Sequence, residues 1–263
     1  MNFFQAKMTL LTLLAMPFLG NSQQAKKNPG GYYQLTVYHF TTPEQQTIID
    51  QYLREAYLPA LHRANIPAVG VFKALANDTA TDKRIYVLLP VKSLQQVTDI
   101  TGLLAADKTY QAAGKNYLDA AYTSPPYTRM ENILLRAFAQ APNLILPKLN
   151  GPRSERIYEL RSYESQTEKI HVNKVHMFNE GGEVALFKQL NFNAIFYGSV
   201  IAGSKMPNLM YITSFENKAD RDAHWKNFGA APEWKKLAAL PQYQNNVSKN
   251  EQTFLFPTDY SDY

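Results

Sequence analysis

Strand-forming residues recur along this chain at a constant spacing of 125 positions. Tyr33 has its counterpart in Tyr158, Leu35 in Leu160 and Tyr38 in Tyr163. Val71 and Tyr86 are followed at the same distance by Phe196 and Tyr211, and helix starts at Ser93 and Lys218 also correspond. One offset held across three separate strands is what an internal duplication leaves behind. The chain is therefore expected to fold as two copies of one unit, and each copy must solve its packing in the same way.

The plan of the unit can be read from the first copy. Tyr32 to Phe40, rich in Tyr, Val, Thr and Phe, is a strand. Thr42 and Pro43 open a helix as N-cap and first helical residue, and Ile48, Tyr52, Leu53, Tyr57 and Leu61 recur at helical spacing until about Ala64. Pro59 falls late in that run and is expected to kink or shorten it. Ala68 to Leu75 and Arg84 to Val91 are strands, Ser93 caps a second helix, Asp107 to Ala121 adds helix, and Met130 to Ala139 is a fourth strand. The order βαββαβ is that of a ferredoxin-like unit.

The second copy reads alike. Its founding strand runs through Ile157-Tyr158-Glu159-Leu160-Arg161-Ser162-Tyr163. A helix from Thr167 to Leu190 is interrupted at Gly181-Gly182, Phe192 to Ile201 and Asn208 to Phe215 are strands, and Asn217 caps a helix carrying Trp225 and Phe228. Glu233 to Ala239 is a short helical piece, Val247 to Phe256 the closing strand, and the 257–263 tail is polar and aromatic.

The resulting boundaries are 1–22 for a signal peptide, 23–31 for a flexible lead-in, 32–141 and 155–263 for the two ferredoxin-like repeats, and 142–154 for the Pro-rich linker. The fold class is α+β. Each four-stranded sheet carries helices on one face and needs cover on the other. Two copies can cover each other sheet to sheet as a barrel. In that arrangement we expect Tyr158 and Leu160 under the helices. Glu159, Arg161 and Tyr163 would then face the interior, opposite Gln34, Thr36 and Tyr38.

The second half resembles the NIPSNAP family. The resemblance rests on Tyr158-Glu159-Leu160-Arg161-Ser162-Tyr163, on Met206-Pro207-Asn208-Leu209-Met210-Tyr211, on the run from Arg221 through His224 and Trp225 to Phe228, and on Pro232-Glu233-Trp234-Lys235. The stretch from Asn179 to Gly198 is similar to exported bacterial members. The first half matches in plan only. The resemblance implies a dimeric α+β barrel fold, here built within one chain, and a family whose biochemical role is undefined.

Composition narrows the classes of function. Lys7 and the apolar stretch Met8 to Leu19, with Gly20 and Ser22 before Gln23, read as a cleavable export signal, too short to span a bilayer. The expected address is periplasmic or extracellular. No cysteine is present, which excludes a thiol nucleophile, a cysteine-linked lipid anchor and Cys-based metal sites. The net charge of +5 falls to +4 without residues 1–22 and is scattered, so nucleic-acid binding is not expected. No other run is long enough for membrane insertion.

Candidate site residues follow from the strands. Glu159 and Arg161 share a strand face and, if buried, must pair; they read either as a ligand-orienting pair or as a structural ion pair. With Tyr163, Tyr38, Thr36, Gln34, Tyr197 and Tyr211 they are the candidates for lining a ligand cleft, because phenols suit amphipathic ligands. His39, at the end of the first strand, reads as a solvated strand end or a general base. His224 and Trp225 are weaker candidates, and the spacing of Trp225 and Phe228 favours core packing. His176 and Glu180 share a helix face without a third ligand, so no metal is expected, and no cofactor motif occurs. No catalytic residue can be named. The leading reading is a protein holding a small ligand between its two sheets. A cofactor-free monooxygenase or isomerase and a protein-interaction module are the alternatives, and a homo-oligomer is compatible with each.

Overall fold

The computed structural model of the chain describes residues 31–263. The expected signal peptide, with most of the lead-in, lies outside the described residues. Eight strands follow in order: β1 (Tyr32–Phe40), β2 (Gly70–Ala74), β3 (Lys83–Val91), β4 (Arg129–Ala137), β5 (Ile157–Glu164), β6 (Asn193–Ala202), β7 (Asn208–Phe215) and β8 (Lys249–Pro257). The strands of the first half lie in the order β4-β1-β3-β2 and those of the second as β8-β5-β7-β6. Neighbours pair antiparallel throughout. β2 joins β8 and β4 joins β6, so the two sheets close into one barrel. Closure pairs most of the edges that either sheet alone would present.

The helices lie outside the barrel. In the first half they are α1 (Pro43–Gln51), α2 (Leu58–Arg63), α3 (Leu94–Ala106), α4 (Lys108–Ala113) and α5 (Lys115–Leu118). In the second half they are α6 (Glu168–Asn179), α7 (Glu183–Gln189), α8 (Lys218–Ala230) and α9 (Pro232–Ala238). Caps sit where side-chain chemistry requires them. Thr42, Ser93 and Asn217 accept hydrogen bonds from the backbone N–H groups of Gln45, Gln96 and Asp220. Pro59 shapes its helix differently from a simple stop: Tyr52–Tyr57 winds as a π-helix between α1 and α2. Pro59 has no N–H to give and its ring would strike a carbonyl one turn back, so a wider turn relieves both problems. The expected helix over Asp107 to Ala121 is broken at Gly114. Gly182 joins α6 to α7 with φ of 92°, a left-handed conformation that glycine adopts without penalty.

Three apolar layers result. One lies inside the barrel, with Tyr33, Leu35, Phe72, Tyr158, Leu160, Phe196 and Ile212 among its members. The second packs β1–β3 against α1–α4 and includes Tyr38, Tyr52, Leu53 and Ile85. The third packs β5–β7 against α6–α8 and includes Tyr163, Phe178, Phe187, Tyr211 and Phe228.

This layering inverts the expected faces. Tyr158, Leu160 and Ser162 face the lumen, whereas Glu159, Arg161 and Tyr163 lie beneath the helices of the second half. Gln34, Thr36 and Tyr38 correspondingly lie on the helix side of the first half and do not oppose Glu159. The physical reason is that both faces of β5 are buried, so alternation shows which residues share a face but not which layer that face meets. An eight-stranded barrel has an interior just wide enough to be filled by side chains. A helix can bring an arginine and an indole to a buried carboxylate, and here α8 does so with Arg221 and Trp225.

The barrel has a closed end and an open end. At the closed end the polar and aromatic tail turns inward: Thr258, Ser261 and Tyr263 are buried, and the Tyr263 ring packs 5.7 Å from that of Phe72. Gly70 makes room for it, since a Cβ there would stand 2.5 Å from the Tyr263 ring. Leu144 and Leu149 of the linker pack against the same end. The other end, where β1 stops at Phe40 and β7 begins at Asn208, is open.

Candidate functional site

Two polar sets stand out, one on each side of the β5 sheet. The first surrounds Glu159, which has no exposed surface. Its carboxylate accepts from Arg161 Nε at 2.6 Å, from Arg221 Nε at 2.7 Å and Nη2 at 2.9 Å, from Trp225 Nε1 at 2.7 Å and from Gln252 Nε2 at 2.5 Å. The Arg161 guanidinium lies 3.9 Å from the centre of the Trp225 ring and donates to the Tyr163 hydroxyl at 3.1 Å, which in turn meets the Tyr211 hydroxyl at 2.9 Å. Burial pushes the Glu159 carboxyl up, but the Arg221 hydrogen bonds and the charges of Arg161 and Arg221 outweigh it and hold the group below its usual range. Tyr211 is raised well above an ordinary phenol, first by burial and then by Tyr163.

The structure thus brings together Glu159, Arg161, Tyr163, Tyr211 and Trp225, with Tyr197 stacked on Tyr211 at 5.4 Å. Every one of these groups is already engaged. The cluster ties β5, β7 and β8 to α8, and its geometry is that of a structural ion pair. Trp225 is at once core, packed on Phe187 and Phe192, and a hydrogen-bond donor to Glu159. The remaining candidates disperse. Tyr38 packs among Tyr117 and Tyr127 on the other half of the barrel, and Gln34 and Thr36 both bond Asn132. The phenols expected to line a cleft are packed between sheet and helices. His224 bonds the backbone carbonyl of Asp220 and packs on Phe192 and Phe215. His176 bonds the Tyr243 hydroxyl at 2.8 Å.

The second set lines the open end of the lumen, around a cavity of about 170 Å³ between the two sheets. Its floor is apolar: Val37, Ile133, Leu160 and Met210, with Tyr86 at one side. Its rim carries His39, Arg84, Glu131, Ser162, Lys205, Asn208 and Glu251. His39 is no solvated strand end, for its side chain is only 12% exposed. Its Nδ1 lies 2.9 and 3.1 Å from the two carboxylate oxygens of Asp82. Burial alone would raise the Asp82 carboxyl, yet hydrogen bonds from Arg84 and His39 hold it below its ordinary range. An ionised carboxylate can only accept, so Nδ1 carries the hydrogen. Nε2 is buried without a hydrogen-bond partner, its nearest charged neighbour being Glu131 at 3.6 Å, beyond bonding distance. Across the cavity Asn208 donates to the Ser162 hydroxyl at 2.8 Å, and Lys205 pairs with Glu251.

None of the residues expected to line a ligand cleft is at this cavity; of the weaker candidates His39, His224 and Trp225, His39 is. A signal for the other cavity residues exists in the sequence. Five lumen-facing rows turn from apolar to polar at the same barrel end, Val37 to His39, Tyr86 to Arg84, Ile133 to Glu131, Leu160 to Ser162 and Met210 to Asn208, and on β8 Thr253 gives way to the charged Glu251. Five strands changing character together mark a wet mouth above a dry floor. Among the described residues, no group of three or more His, Asp or Glu side chains is placed to hold a metal ion.

Residues 158–262 match the family model NIPSNAP. No curated protein matches the chain. Among solved structures, a candidate monooxygenase from Lactobacillus acidophilus superposes with a TM-score of 0.55 at 13% identity, covering 87% of this chain and 94% of its own. A candidate monooxygenase from Fusobacterium nucleatum gives a TM-score of 0.53 at 6% identity, over 87% of this chain and 92% of that one. An uncharacterised NIPSNAP-like domain protein from Burkholderia xenovorans covers 41% of this chain and 90% of its own length, at 18% identity and a TM-score of 0.37. At these identities the first two likenesses show a common fold.

Proposed function

We propose that this chain, whose second half is a NIPSNAP domain, binds a small amphipathic ligand between its two sheets, at the open end of the barrel. The observation that carries the reading is the cavity itself, with an apolar floor, a polar rim and a buried imidazole nitrogen left without a partner. Concave sites with apolar walls and a few convergent polar groups are the usual form of small-molecule sites. The Glu159–Arg161 cluster takes no part in binding on this reading; it fixes the sheet that forms the cavity wall. Thermal stabilisation against a panel of small amphipathic compounds tests the proposal, followed by NMR of the Met210 ε-methyl group. A genuine ligand is expected to stabilise the fold and to shift that methyl resonance. Compounds that stabilise the protein while leaving Met210 unmoved would place the binding site elsewhere.

One observation favours an enzyme as the second reading. His39 faces the cavity with its other nitrogen held by Asp82, which is the arrangement of a general base and its orienting carboxylate. Two fold neighbours carry names of candidate monooxygenases, and the expectation that no cofactor is needed belongs to this reading too. Turnover of a compound that binds in the lumen, lost in His39→Ala with binding retained, would favour it. Export is proposed from the amino-terminal pattern alone, and the mature protein is expected to begin at or near Gln23.

A further inference from the structure

The barrel wall is incomplete on one side of the cavity. β2 ends at Ala74, where it pairs with Leu255 of β8, and its pairing with β3 ends at Lys73 opposite Ile85. β3 and β8 both run on toward the open end. Among the described residues, the part of β8 from Lys249 to Phe254 pairs with β5 and has no strand on its other side. The chain after Ala74 leaves the ladder as a short 3₁₀ segment, Leu75–Asp78, which lies close to both β3 and β8. That segment is fastened to β3: the Asn77 side chain donates to the Arg84 carbonyl at 2.9 Å and accepts from the Arg84 N–H at 2.8 Å. Asn77 thereby takes the place of a missing strand along β3, and the opening is left beside β8.

A groove of about 500 Å³ occupies that opening. Ala74, Leu75, Ala76 and Ala80 form one wall, and Phe254 contributes to the other. Arg84, Tyr86 and Thr253 line both this groove and the lumen cavity. Leu75, which lines this groove, is 45% exposed, an apolar side chain facing water.

We infer that lumen and groove form one bent site, and that its ligand is an elongated amphipath. A polar head lies in the lumen among the rim groups of His39, Ser162 and Asn208, and an unbranched apolar chain passes Tyr86 and Thr253 to rest along the alanine wall. This rests on the lumen reading proposed above and adds the shape and class of the ligand. Alanines at three of the four positions along one wall leave room for a chain but offer little to hold a compact ring.

Primary n-alkanols are suitable probes, because a hydroxyl can donate to one group of the polar rim and accept from another. Affinities of hexan-1-ol, octan-1-ol, decan-1-ol and dodecan-1-ol are measured by calorimetry, with the Met210 methyl resonance as a check on location. Each methylene removed from water is worth a factor of roughly four in affinity. The inference expects that gain to continue beyond octan-1-ol, through decan-1-ol. Ala76→Trp, which fills the groove from an exposed turn, should bring the affinity of decan-1-ol down to that of octan-1-ol, so that the decanol-to-hexanol ratio falls to the octanol-to-hexanol ratio. Ala80→Trp on the same wall should do likewise if the first variant folds poorly. Affinity that stops rising at octan-1-ol in the wild type, or a ratio unaffected by both variants, overturns the bent site while leaving the lumen reading intact. Hexan-1-ol that fails to bind, or that binds without moving Met210, overturns the lumen reading and the bent site together.

Discussion

Glu159 shows how much one buried carboxylate can organise. Removing it would leave two guanidinium groups beneath α8 without their shared counter-charge, whereas removing Arg161 leaves Glu159 still held by Arg221, Trp225 and Gln252. Breaking a buried pair from the side that strands charge typically costs about 3–5 kcal/mol. Losing one charged hydrogen bond among several costs about 1–3 kcal/mol. Glu159→Ala is therefore expected to destabilise more than Arg161→Ala in urea denaturation, and the reverse order would show that Arg221 does not compensate. The same carboxyl sets a pH dependence. Its pKa in the folded protein lies below the usual 4.5, so its contribution is present above that value and is lost as pH falls through the lowered folded value. The deficit of Glu159→Gln relative to wild type should be largest near neutrality and shrink as the solution is acidified below about pH 4. A constant deficit across that range would mean that the ionised form is not what the site stabilises.

At the scale of elements, backbone requirements decide which substitutions a helix junction or a strand will accept. A Cβ at Gly182 would meet nothing within 4 Å, so Gly182→Ala should cost only the left-handed backbone penalty, about 1–2 kcal/mol. Gly70→Ala is the opposite case. Its backbone is ordinary strand, but the added carbon would push the Tyr263 ring out of the closed end of the barrel. We expect the larger loss there, together with increased proteolysis of the 257–263 tail. Equal losses at the two glycines would show that the tail can shift without cost. Capped starts, the Gly-linked α6–α7 junction and the π-turn ahead of Pro59 are local consequences of local sequence, and apart from the π-turn itself they were legible in it. The break at Gly114 was not, because one glycine inside an apolar helical run marks an end only when packing makes it one.

For the whole molecule, closure makes each half the cover of the other. Residues 155–263 expressed alone would expose Tyr158, Leu160, Phe196, Met210, Ile212 and Leu255, together with the free edges of β6 and β8. Such a fragment should self-associate or fail to fold, and sedimentation analysis distinguishes these from a stable monomer, which would contradict mutual dependence of the sheets. Both tryptophans lie in the second half, whereas backbone circular dichroism samples the entire chain. If the barrel unfolds as one unit, denaturant midpoints from the two signals coincide; separated midpoints would mean that the halves unfold independently.

The order of elements, the duplication and the α+β barrel follow from the sequence by itself, because caps, strand runs and the 125-residue offset are properties of neighbours along the chain. Grouping Glu159 with Arg161 and Tyr163 was equally a local matter, a consequence of strand periodicity. What only the tertiary structure decided was the layer that this row enters. Both faces of β5 are buried, and the choice was made by Arg221 and Trp225, some sixty residues further along, arriving on α8. The cavity was decided in the same way. No single strand contains it: it arises where five lumen rows turn polar at one level, and where the β2 ladder stops short between β3 and β8. Alternation fixes which residues stand together on a strand; only closure of the barrel determines what they stand against.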